Sequence, residues 1–267
     1  MGIGNKPIDD GQYLFTPEGK DAFLRQEPGA APYFRRRLGA DEFLNAYEAG
    51  ACGWAMPKPV ALKTLPLAME RVAAVRKYRA ASKSAPTRKL AETLRRFHVE
   101  FMPDKDFLVI PEVSSERRAF ISIGYFKPDT LASNLLRIVP HVTAYDFGVL
   151  SSTMHNAWMR TVTGRLESRY RYSVHIVYNN SPWPQGVSEE QHRAIAAAAQ
   201  GVLAARAAHP GSTLADLYDP MPCRMTCAPR TKRWTRPWTP PTATGAARMT
   251  PPASPSCSRL TIGLSAS

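Results

Sequence analysis

The spacing of apolar residues changes character several times along this chain. In the first part, short apolar pieces sit between turn signals: Pro7, Asp9, Asp10 and Gly11 precede Tyr13-Leu14-Phe15. Residues 21–24 and 40–47 have the make-up of short helices. "YFRRRLG" (residues 33–39) fits a basic edge strand or a phosphate-contacting loop. Helical spacing then takes over after Thr64, which can cap, with Pro66 in the first turn and Leu67, Met69, Val72 and Val75 on the apolar side. Arg71, Arg76, Lys77 and Arg79 fall on the opposite side.

A period nearer two follows. "DFLVIPEV" (residues 106–113) is rich in strand formers and interrupted by Pro111, and "AFISIGYF" (119–126) alternates in part before stopping at Lys127-Pro128. The polar "SSERR" (114–118) connects them. "HVTAYDFGVLSS" (141–152) reads as more strand and turn. Residues 153–162 read as a helix with Met154, Trp158 and Met159 on its apolar face. "VHIVY" (174–178) reads as a strand and "NNSPWP" (179–184) as a loop turned around its tryptophan. Ser188 can cap a long alanine-rich helix ending near His209, where Pro210-Gly211 stops it. Ser212 or Thr213 caps a last short helix, "LADLYD". The pattern predicts an α+β fold with flanking helices, a C-terminal helix and a disordered tail over residues 220–267.

A chain of 267 residues can bury one large core or two small ones. No apolar run approaches the roughly 18 residues that cross a bilayer, and "MGIGNKPIDDG" lacks the layout of a signal peptide. A cytoplasmic location is the expectation, with no membrane partner. The four cysteines are too scattered for a disulfide framework. Cys223 and Cys227 have no second Cys or His pair behind them, so they read as unpaired thiols and no metal site is expected. Gly2 and Gly4 have no strand before them, which removes a nucleotide-binding fingerprint. His155, beside Trp158, reads as a packed or capping side chain.

Charge adds direction. The formal net charge is +13. Residues 63–97 carry Lys63, Arg71, Arg76, Lys77, Arg79, Lys83, Arg88, Lys89, Arg95 and Arg96 against only Glu70 and Glu92. A field of that sign attracts polyanions in a salt-sensitive way, although any one of these residues could equally belong to a solvated helix face.

The densest chemistry is "GRLESRYRYS" (164–173). If "LESRYR" is extended, Glu167, Arg169 and Arg171 share one face while Tyr170 and Tyr172 point inward. Arginine forks onto guanine O6 and N7, and glutamate accepts from the cytosine amino group, so the two could read both halves of a C·G pair. The competing reading is an ordinary Glu–Arg pair on a β surface, worth about 0.2–1 kcal/mol.

A family resemblance bears on that choice. "PEVSSERRAFISIGYF", "FGVLSSTMHNAWMRTVTGRLESRYRYS", "IVYNNSPWP" and "LADLYDP" resemble the C-terminal portion of the MmeI-like restriction–modification enzymes, single-chain adenine-specific DNA methyltransferases fused to a nuclease. The likeness runs from about Gly4 to Pro220. It implies a mixed-sheet DNA target recognition domain over residues 1–184, the truncated start of a C-terminal helical region over 185–219, and double-stranded DNA as partner. In that family the positions around G-R-L-x-S-x-Y-R vary with the bases recognised. Glu167 and Arg169 would then specify one pair beside the methylated adenine, with Asn134 and Arg171 as further readers. Arg117, Arg118, Arg165, Arg76 and Lys77 would contact the DNA backbone. Two departures stand out: Ser181 replaces the family's usual phenylalanine, and "ACGWAM" (51–56) weakens a tryptophan-rich strand.

The chemistry of such an enzyme is not in these residues. There is no glycine-bearing loop for S-adenosylmethionine and no Asn/Asp-Pro-Pro-aromatic motif for a flipped base. "NNSPWP" has the letters in the wrong order, and "PDKD" (103–106) has no companion E-x-K. The resemblance therefore implies a specificity part without catalysis of its own and with no cofactor in this chain. S-adenosylmethionine belongs to the parent enzyme's missing domain, and a separately encoded methyltransferase or nuclease chain is a candidate partner. Two other classes stay open: a truncated, inactive remnant, and a generic basic module for RNA or single strands. The last would want exposed aromatics along a groove, whereas Trp158 and Trp183 look like core.

The tail carries seven basic residues and no acid. Reading its codons from the third base after Met221 turns each Met-Thr or Trp-Thr junction at Met225, Trp234 and Trp238 into aspartate. With favourable synonymous choices the frame becomes AMPDDLRAAHQALDAAVDAAYG, an amphipathic helix resembling the family's continuation. A frameshift near residues 220–222 is one expectation and a genuine disordered basic tail is its rival; the nucleotides of the gene decide between them.

Overall fold

A computed structural model describes residues 1–46, 52–54, 63–93 and 97–220. The tail beyond Pro220, together with its frameshift reading, lies outside them, as do Arg95 and Arg96. In chain order the first elements are β1 (Gly2–Ile3), β2 (Leu14–Phe15), α1 (Pro17–Gln26), β3 (Phe34–Leu38), α2 (Ala40–Asn45) and β4 (Cys52–Trp54). Helices α3 (Pro66–Ala80) and α4 (Ala85–Lys89) follow, then β5 (Phe107–Pro111), β6 (Val113–Ser114), β7 (Gly124–Phe126), β8 (Thr130–Ala132) and β9 (Leu136–Pro140). The rest comprises α5 (Ala144–Leu150), α6 (Thr153–Val162), β10 (Gly164–Leu166), β11 (Arg169–Arg171), α7 (Glu189–Ala207) and α8 (Leu214–Tyr218). The α+β expectation holds.

The chain divides into two compact units. The first takes residues 1–110 and 124–141 and holds two four-stranded sheets, ordered β1-β9-β5-β7 and β2-β4-β3-β8. All five residues of β5 are buried, the mark of a central strand with both faces covered. Near the start of the chain Gly4 is forced by close approach, because a Cβ there would stand 2.0 Å from the Ser133 carbonyl oxygen. Phe15, Phe23 and Phe34 pack edge to face at 4.9–5.9 Å, and Val72 and Val75 of α3 close the same core.

Helix α3 departs from expectation in three ways. Leu65, not Thr64, is the N-cap and supplies no side-chain cap. The two orphan N–H groups of Leu67 and Ala68 donate instead to the carboxylate of Glu27, at 2.9 and 3.0 Å, some 40 residues back in sequence. A buried anion placed there also meets the positive end of the helix. Met69 is exposed, since Ala68, Val72, Val75 and Arg79 make the buried stripe. Arg79 is therefore not on a solvated face: it is fully buried and donates to the carbonyls of Pro7, Ile8, Leu90 and Thr93. Arg71 stacks 4.1 Å over the Phe15 ring and donates to the Gln12 carbonyl. Both cations leave the polyanion field and serve the fold. "YFRRRLG" is corrected too: β3 lies inside its sheet, antiparallel to β4 and parallel to β8, not at an edge.

The second unit takes residues 111–123 and 142 onward. Its sheet is three-stranded, ordered β10-β11-β6, and its helices pack on one another. Helix α5 lies against α7 so closely that a Cβ on Gly148 would come within 2.7 Å of the Ile195 side chain. Residues 141–152 were expected as strand and turn, but Thr143 and Asp146 form a reciprocal capping box and start α5. "VHIVY" is a turn of π-helix rather than a strand: the Ser173 hydroxyl accepts from Ile176 N, and Trp158 Nε1 donates to the Val177 carbonyl. Local caps and one tertiary bond override the β-branched composition. "AFISIGYF" supplies only β7 at its end; Ile121 N instead donates to the Oδ1 of buried Asn156.

Candidate nucleic-acid interface

Strands β10 and β11 form a hairpin in the second unit, paired Gly164↔Arg171, Arg165↔Tyr170 and Leu166↔Arg169. Only Glu167 and Ser168 remain to make the turn. A two-residue hairpin turn needs left-handed backbone, usually from glycine or asparagine, and here Glu167 adopts it at φ +56°. A side chain held in that region costs roughly 1–2 kcal/mol. Strain of this kind persists where the surroundings over-determine it, and it collects at functional sites.

The bracing is visible. The Arg165 guanidinium lies 4.2 Å over the Tyr170 ring, and its Nη1 donates to the Ser168 carbonyl at 2.8 Å. Behind the hairpin, Tyr172 is buried and its backbone N–H donates to the Glu112 carbonyl. The Tyr172 hydroxyl is 2.9 Å from Nε2 of His155, whose Nδ1 is 3.0 Å from Ser181 Oγ. Burial pushes the Tyr172 phenol up and pulls His155 down to about 4, so the imidazole is neutral and bonds on both sides.

The expectation of one extended face from Glu167 to Arg171 is corrected by this geometry. The turn interrupts the strand, so Glu167 sits at the hairpin tip while Arg169 and Arg171 share a strand face with Leu166. Tyr170 is half-buried on the other face beneath Arg165, and only Tyr172 is fully inward. The Glu167–Arg169 neighbourhood survives for a different reason: the turn folds the carboxylate back, and Glu167 Oε2 accepts from Arg169 Nη2 at 2.8 Å in an exposed ion pair. Arg171 Nε donates at 2.9 Å to Glu112 Oε1, whose side chain is only 12% exposed. Glu112 is a member of this cluster that sequence reasoning missed. It lies 59 residues from Arg171, and no local signal connects them.

Arg117 and Arg118 lie in the same unit beside Asp219, with Arg117 Nη2 3.8 Å from its carboxylate. Burial lowers the Arg118 pKa, and the Asp219 charge offsets part of that. Asn134, Arg76 and Lys77 belong to the first unit. Asn134 is half-buried in the turn before β9, where its carbonyl accepts from Arg137; Arg76 and Lys77 are exposed on α3. Among the described residues no group of three His, Cys, Asp or Glu side chains could hold a metal ion, and no helix is long and apolar enough to cross a membrane. "NNSPWP" is a packed turn: Trp183 meets Tyr178 edge to face at 5.8 Å, and Asn180 spends its amide on the His175 and Ile176 carbonyls.

Residues 1–185 match the model of the MmeI target recognition domain, and residues 187–231 match that of the MmeI C-terminal domain. The class is therefore a target recognition domain with C-terminal-domain sequence behind it. The chain belongs to the MmeI family of DNA methyltransferase and restriction–modification enzymes. It is similar to DNA methyltransferase A of Bacillus subtilis (strain 168), 35% identical over 219 residues, which is 82% of this chain and 25% of that protein. Among solved structures it is similar to the Type IIL restriction–modification enzyme MmeI in complex with DNA, with 45% identity and a TM-score of 0.77 over 82% of this chain and 29% of that one. The chain thus spans between a quarter and a third of these relatives' length.

Proposed function

We propose that this chain reads duplex DNA site-specifically, as the specificity part of an adenine-specific, S-adenosylmethionine-dependent methyltransferase of the restriction–modification type. The observation that carries the reading is the Glu167–Arg169 pair, held 2.8 Å apart at the exposed tip of a braced and strained hairpin. In the major groove Arg169 forks onto guanine O6 and N7, while Glu167 accepts from N4 of the paired cytosine. Each group replaces its present partner with a base edge, so neither charge is left unpaired. Arg171 and Asn134 are further readers. Arginine suits guanine, and an asparagine amide matches the N6 and N7 edge of adenine.

Arg117, Arg118, Arg165, Arg76 and Lys77 supply phosphate contacts that position the duplex without reading it. Arg165 in addition holds the turn. These contacts make affinity fall steeply with salt, while base preference stays with the hairpin.

The residues present do not fit S-adenosylmethionine or a flipped adenine. The one stretch with the right letters, "NNSPWP", uses its Asn180 amide to close its own turn. Methyl transfer accordingly belongs to another part of the enzyme, joined to this domain in one chain or encoded separately, and a cytoplasmic location suits that role. Selection from randomised duplexes, with and without the methyltransferase part, tests the reading. One recovered consensus supports it, and salt-sensitive binding without any consensus refutes it.

A further inference from the structure

The face that carries Arg169 and Arg171 has one apolar member, and its function is not accounted for by charge. Leu166 pairs directly across the hairpin with Arg169, so the two side chains project on the same side of the sheet. Leu166 is 44% exposed. The other cross-strand position on that face is Gly164, opposite Arg171, where a Cβ would meet nothing within 4 Å. The aromatic that could have covered the leucine, Tyr170, lies on the opposite face under Arg165. A single exposed leucine is unremarkable on a protein surface. A leucine set directly opposite one guanidinium-bearing position and diagonal to a second, beside open space and next to a strained turn, is in a place where the partner is expected to have both polar and apolar edges.

The major groove offers one apolar feature, the C5 edge of a pyrimidine, which carries a methyl group in thymine and a hydrogen in cytosine. We propose that Leu166 contacts this C5 edge in the base pair adjoining the one read by Glu167 and Arg169, so that the protein senses a pyrimidine 5-methyl group there. The inference rests on the DNA-reading proposal above and adds a second kind of readout to it: hydrogen bonds from the charged pair, and methyl recognition from the leucine. Burying one methyl group corresponds to about fourfold in affinity.

The test uses the full chain and Leu166→Ala, a change at an exposed position that leaves the hairpin bonds in place. A consensus is first selected from randomised duplexes. Each thymine of the consensus is then replaced singly by deoxyuridine, which removes only the methyl, and each cytosine by 5-methyldeoxycytidine, which adds one. The expected result is one position, next to the pair that responds to Arg169, where the methyl strengthens wild-type binding about fourfold and leaves Leu166→Ala indifferent. If every replacement affects the two proteins equally while the consensus is intact, the inference is overturned and DNA reading stands. If the wild type selects no consensus, the DNA-reading proposal fails first and carries this one with it.

Discussion

His155 connects the stability of the hairpin's support to pH. It is 2% exposed, and burial lowers its pKa from 6.5 to about 4. The folded protein keeps the imidazole neutral between Tyr172 and Ser181, whereas the unfolded chain protonates it below about pH 6.5. The unfolded state therefore binds more protons between pH 6.5 and 4, so stability is lost as the pH drops through that window. The full shift corresponds to about 3 kcal/mol, and roughly 2 kcal/mol of it is lost between pH 7 and pH 5. The perturbation is His155→Gln, which keeps a donor and an acceptor in reach of the two hydroxyls but does not titrate. Urea unfolding of both proteins at pH 7 and pH 5 isolates the effect, since every other titrating group is common to them. The wild type is expected to lose roughly 2 kcal/mol more than the variant on acidification. Equal losses in the two proteins would refute the reasoning.

Two further outcomes follow from the geometry. Glu27→Ala leaves the Leu67 and Ala68 N–H groups without their acceptor at the start of α3, and should cost about 1–3 kcal/mol in thermal or urea unfolding. Glu167→Gly relieves the left-handed backbone and should stabilise the fold by about 0.5–1 kcal/mol while abolishing the base preference that Glu167 confers, read by unfolding and by duplex competition together.

Two helices were legible from their N-terminal residues, whereas the Thr143–Asp146 capping box that starts α5 was passed over because the apolar run after it read as strand. Ser188 announces α7, and Pro66 announces α3. The hairpin was not legible, because its turn is Glu167-Ser168, without the glycine or asparagine that normally betrays a left-handed turn residue, here Glu167. An unbroken strand therefore looked continuous through it, and the shared face was drawn one residue too long. The charge at residues 63–97 was overread for a related reason. Arg79 is buried by carbonyls from residues 7, 8, 90 and 93, a set that only the folded chain brings together. An exposed Glu167–Arg169 ion pair is what the competing reading, an ordinary surface pair, expected from spacing, but its geometric cause, a turn and not a strand face, became visible only in three dimensions. Glu112 and Leu166 had no local signature at all.

The most direct measurement is the charge exchange Glu167→Lys with Arg169→Asp, followed by selection from randomised duplexes at one fixed salt concentration. The account expects a consensus of unchanged length in which a single base pair switches identity, with each mismatch there costing about 1–3 kcal/mol. A consensus identical to the wild type's, or loss of all DNA binding, would contradict a role for that hairpin tip in choosing the base.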